Sequence, residues 1–165
     1  MPIIKYEMSF DPMLHFEGVK FFKAAKLLKE QPVHYSNTPY WTLLAFSIEL
    51  MLKSFSVGRV ITTSKKNPCI INEVKLAHVK GHSLTDVFNN LPDTLKDLLS
   101  IKFEIHSGMV LQEILEQHST LFDQARYIYP KNGHMKLPTG ISVDESSLYK
   151  VGEFLSNIPK HELRN

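Results

Sequence analysis

The stretch that most constrains this fold is YWTLLAFSIELMLKSF, residues 40–55. Thr38 ahead of it suits a helix cap, and Pro39 suits the first helical position, where a missing N–H costs nothing. From Tyr40 to Phe55 nearly every side of the helix is apolar. The polar exceptions Thr42, Glu49, Lys53 and Ser56 form one thin stripe. Such a helix needs neighbours on several sides, so it belongs in the middle of a bundle. It is too short to span a bilayer and carries Glu49 in its interior. Glu49 and Lys53 stand at i and i+4 with the acid first. On a surface that pair contributes a few tenths of a kcal/mol. Facing inward it would require further partners, and Arg126 or His82 could supply them.

The neighbours are legible too. In SFDPMLHFEGVKFFKAAKLLKEQP, Asp11 is the expected N-cap and Pro12 the first helical residue. Leu14, Gly18, Phe21, Ala25 and Leu28 share one face, and Pro32 ends the run. Ser83 caps the next helix, with Asp86 three residues on as a variant capping box. Pro92 opens another, with Leu95, Leu98 and Leu99 inward. Leu111, Ile114, Leu115, His118, Leu121, Phe122 and Ala125 make the cleanest 3.6-residue stripe in the chain. The last helix is expected from the box Ser142-x-x-Glu145 to about Ile158. Between 57 and 80 the rhythm breaks: Val60–Ile61 and Ile70–Ile71 flank TTSKKNP, which suits a small hairpin. The expected fold is all-α, an antiparallel up-and-down bundle of about five to six helices with this irregular or hairpin insertion, and one domain over 1–165.

Composition narrows the function classes only slightly. The net charge of +2 and pI near 8.6 lack the strong basic balance of an obligate nucleic-acid binder. A lone Cys69 excludes an internal disulfide and suits a reducing compartment, and the N-terminus does not read as a secretion signal, so the expectation is cytoplasmic. No glycine-rich phosphate loop is present. His78 and His82 have a helical ligand spacing, but Gly81 and Ser83 interrupt the helix between them, so no metal or cofactor is expected. Residues 122–134, FDQARYIYPKNGH, place Arg126 near a helix end and His134 beyond a turn. Histidine as base and arginine as phosphate clamp are the groups a metal-independent ribonuclease requires.

In order along the chain, YWTLLAFSIELMLKSF (40–55), KGHSLTDVFNNLP (80–92) and FDQARYIYP (122–130) resemble the HEPN family, helical-bundle domains of prokaryotic defence, toxin–antitoxin and nucleotidyltransferase-linked systems. The resemblance implies an up-and-down bundle, often a homodimer, with a groove near the dimer axis. Catalytic members carry an arginine, a polar residue straight after it, and a histidine at shorter spacing. Here seven residues separate Arg126 from His134, Tyr127 takes the polar place, and Pro130 intervenes. The GHSL and RY blocks resemble the branch that binds nucleotides or partners without cutting RNA. Glu49, Lys53 and His82 match recurring polar positions of that branch and are carried over as groove residues, with Arg126 and Tyr127 beside them.

The resemblance therefore implies binding of RNA or a nucleotide, and possible pairing with a cognate partner protein, in a defence or stress setting. One alternative is an endoribonuclease toxin using Arg126 and His134. The other is a non-catalytic oligomerisation or adaptor bundle.

Overall fold

A computed structural model describes residues 4–31, 37–64, 66–67, 71–77, 79–126 and 142–158. It is a mostly helical bundle. The elements, in chain order, are β1 (Ile4–Ser9), α1 (Pro12–Glu30), α2 (Thr38–Lys53), β2 (Val57–Thr63), β3 (Ile71–Ala77), α3 (Leu84–Asn89), α4 (Asp93–Ser107), α5 (Leu111–Gln117), α6 (Leu121–Arg126) and α7 (Glu145–Asn157).

The apolar helix α2 is central, packing on α1, α3, α6 and α7. Leu44, Ala45, Ile48, Met51 and Leu52 are all fully buried in it. Its start falls one residue from expectation: Thr38 is the first helical residue, and Asn37 sits at the cap without a side-chain bond. α1 runs antiparallel to α2, since Gly18 meets Met51, Phe21 meets Phe46 and Lys29 meets Tyr40 along the pair. The approach is closest at Gly18, where a Cβ would stand 2.6 Å from Met51 Cγ and 3.0 Å from both Met51 N and Ser47 O. α7 joins the same layer, with Gly152 against the rings and methyls of Phe22 and Leu44.

The expected α1 cap holds: Asp11 Oδ1 accepts from the N–H of Met13 at 2.9 Å and of Leu14 at 3.1 Å. The buried face, however, is His15, Gly18, Phe22 and Ala25, with Leu14, Phe21 and Leu28 only half-buried. The rotation follows from His15, whose ring sits among Phe10 and Phe55 and whose Nδ1 reaches Ser54 Oγ at 3.1 Å. A satisfied imidazole can take a core place that an apolar count would not give it.

The rhythm break at 57–80 contains the antiparallel hairpin β2–β3, and β1 pairs on the other side of β2 to complete a three-stranded sheet in order β1-β2-β3. The N-terminal strand was not expected. Its pairing with residues 57–62 is a long-range contact that no local pattern announces.

Every member of the stripe from Leu111 to Ala125 is buried, but its helix divides at His118–Thr120 into α5 and α6. The division frees Ser119 O to accept from Leu84 N at 3.1 Å, while Ser119 Oγ bonds Ser83 Oγ at 2.8 Å. His118 lies in the break, 2% exposed, with Nδ1–H on Ile114 O at 2.8 Å and Nε2 accepting from Asp144 N at 3.1 Å. Both ring nitrogens are thus used in joining α5 to the start of α7. The cap of α7 is Asp144, accepting from Ser147 N at 3.2 Å. The expected box at Ser142 starts the helix too early: the cap lies two residues on, at Asp144.

Candidate functional site

The polar stripe of α2 turns inward over its second half. Glu49 is 1% exposed and the Lys53 side chain 12%. Lys53 Nζ donates to Glu49 Oε1 at 2.8 Å and to Gly81 O at 2.6 Å. His82 Nδ1 lies 3.0 Å from Oε1 and 3.1 Å from Oε2 of the same carboxylate. A carboxylate beside an ammonium only accepts hydrogen bonds, so the Nδ1–H of His82 donates to it. One buried acid therefore orients both a lysine and a histidine. The lysine in turn holds the backbone just before the histidine.

The sequence reaches this arrangement through the insertion. The hairpin leaves α2 at Val57, and the chain returns at Val79–Ser83 to lie over the C-terminal half of α2. Gly81 makes the final bend at φ +93, a left-handed conformation that a Cβ would strain. Ser83 then caps α3 by accepting from Asp86 N at 3.1 Å, which fixes the residue after His82.

Aromatic rings floor the site. Phe21, Phe46 and Phe122 form a run with centroid separations of 4.8 and 5.1 Å. The His82 ring lies 5.0 Å from Phe122, and the Arg126 guanidinium is 5.6 Å from that same ring centre. His82 and Arg126 are both exposed. Of the residues singled out from sequence, Glu49, Lys53, His82 and Arg126 thus gather around one junction of α2, α3 and α6. Tyr127 and His134 lie outside the described residues, as do Cys69 and His78. Sequence reading missed two participants. Phe122 was counted as core, and the Gly81 carbonyl was invisible; an aromatic one turn before a helix-end arginine is the signal that could have found Phe122.

With both ring nitrogens protonated, the carboxylate-held His82 and the exposed Arg126 guanidinium present two kinds of donor to an oxyanion. Among the described residues, no three of His, Cys, Asp and Glu come together as a metal-holding group, and no helix is long and apolar enough to cross a membrane. Set against known proteins, the chain matches no family model, no curated protein and no solved structure.

Proposed function

We propose that this chain is a HEPN-like helical domain that binds a phosphate-bearing ligand, RNA or a nucleotide, at the Glu49–Lys53–His82–Arg126 junction. It acts in a defence or stress setting, as a homodimer or with a cognate protein, and cuts RNA little or not at all. The observation that carries the reading is the placement of His82 and Arg126 against the same Phe122 ring, with His82 held by the carboxylate of the buried Glu49–Lys53 pair. His82 and Arg126 reach the ligand. Glu49 and Lys53 hold the histidine and the bend before it, since the lysine ammonium is already bonded twice. The fork of N–H donors on an arginine matches the oxygens of a phosphate.

Fluorescence anisotropy with a labelled RNA oligonucleotide, and competition by a nucleoside triphosphate, tests the proposal. Wild type should bind, with affinity falling as salt rises. Arg126→Ala and His82→Ala should each weaken binding by about tenfold or more. Absence of binding by wild type, or unchanged affinity in Arg126→Ala, would overturn it. Cleavage of the oligonucleotide that disappears in His134→Ala would replace it with the ribonuclease reading.

A further inference from the structure

At the far end of α2, roughly 20 Å from Lys53 by helical rise, lies a hollow of about 300 Å³. It is lined by Leu28, Lys29 and Gln31 from the end of α1, Asn37, Pro39 and Tyr40 from the start of α2, and Glu145 from the start of α7. Three of its polar groups are incompletely used. Tyr40 is 5% exposed, and its hydroxyl is buried without a hydrogen-bond partner among the described residues. Glu145 accepts from Trp41 Nε1 at 2.7 Å and Asn37 Nδ2 at 3.3 Å, both on Oε1, so among the described residues Oε2 has acceptor capacity to spare. Lys29 Nζ stands over the rings of Tyr149 at 4.8 Å and Tyr40 at 5.8 Å, with no ion pair among the described residues.

We propose that this hollow binds a small zwitterion of the amino-acid class, its carboxylate toward Lys29 and the Tyr40 hydroxyl and its ammonium toward Glu145. A ligand with one charge of each sign matches the one cation and one anion of the lining. A purely anionic ligand would meet Glu145, and a purely cationic one Lys29. The volume is at the small end for ligand sites, which suits a single amino acid better than a nucleotide. Leu28 and Pro39 supply apolar surface for a side chain. Burial, with the charge of Glu145 behind it, pushes the Tyr40 phenol up to about 12, so it enters a complex protonated and able to donate. A buried hydroxyl without a partner costs stability, and a ligand oxygen there recovers it.

The test uses the full chain. Trp41 is the single tryptophan and bonds Glu145, so its fluorescence reports on the site. Thermal melts and fluorescence titrations would be run with each standard amino acid. Matched amines lacking the carboxylate and matched acids lacking the amine serve as comparators. At least one amino acid should raise the melting temperature in proportion to the logarithm of its concentration, as binding to the native state requires, while its amine and acid analogues do not. Lys29→Gln, Glu145→Gln and Tyr40→Phe should each weaken that binding by about tenfold. Without ligand, Tyr40→Phe should melt no lower than wild type, because it removes an unsatisfied group. No response to any amino acid, equal response to the singly charged analogues, or undiminished binding in Lys29→Gln and Glu145→Gln would overturn the proposal. So would a loss of unliganded stability in Tyr40→Phe, which would mean that the hydroxyl already has a partner.

Discussion

Removing Lys53 while keeping Glu49 is the perturbation that best separates a surface ion pair from a built polar centre. An exposed helix pair at i and i+4 is worth about 0.3–0.5 kcal/mol, and losing it would be close to invisible. Here the carboxylate is 1% exposed, so Lys53→Met leaves a buried charge with His82 as its remaining side-chain partner. Breaking a buried pair from one side costs about 3–5 kcal/mol. The His82 bond retains part of that, so about 3 kcal/mol is expected for Lys53→Met, or roughly 6–12 °C in melting temperature for a chain of this size. Glu49→Leu should cost less, about 2 kcal/mol, since Lys53 keeps the Gly81 carbonyl and can reach water. The double variant replaces the pair with apolar side chains of similar volume and should be more stable than Lys53→Met alone. Urea unfolding of the four proteins gives the coupling energy, expected near 2 kcal/mol or above. Additive singles of a few tenths each would refute the buried-centre reasoning and restore the surface pair.

Two further outcomes follow from the packing and the titrating groups. Gly18→Ala sets a helix-propensity gain of about 1 kcal/mol against overpacking of about 1–3 kcal/mol. The contacts at 3.0 Å are to the backbone of α2 and cannot rotate away, so a net loss of stability is expected by chemical denaturation, and a gain would show that α1 can shift outward. The hydrogen bonds from Ser147 hold the Asp144 carboxyl below its ordinary 3.8. A depressed acid stabilises the fold above its unfolded pKa and loses that contribution as pH falls through the folded value. Wild type should therefore lose stability below about pH 4 by more than Asp144→Asn does, and parallel acid-unfolding curves would contradict this.

Much of the scaffold was legible because it is written locally. A helix apolar almost all round can only be central, and α2 is. The seven-residue stripe from Leu111 to Ala125 is buried throughout, and Asp11 and Ser83 cap the helices they were expected to cap. These are properties of one helix face or one turn, set by side-chain period and by backbone N–H groups that need acceptors. The sequence alone also singled out Glu49 and Lys53 as out of place on so apolar a helix. It could not say which way they faced.

Tertiary structure decided everything that depends on chain segments distant in sequence. β1 exists because residues 4–9 pair with 57–62. At the break after His118, Leu84 claims the Ser119 carbonyl that a continuous helix would have kept, and the His118 ring takes the N–H of Asp144. The site is of the same kind: His82 meets Glu49 because the hairpin returns the chain over α2, and it shares the Phe122 ring with Arg126 because α6 brings that ring against it. Periodicity fixes which residues share a face of one helix, whereas hydrogen bonds between elements choose which faces meet. That is why the polar stripe was visible in the sequence and its partners were settled only by the fold.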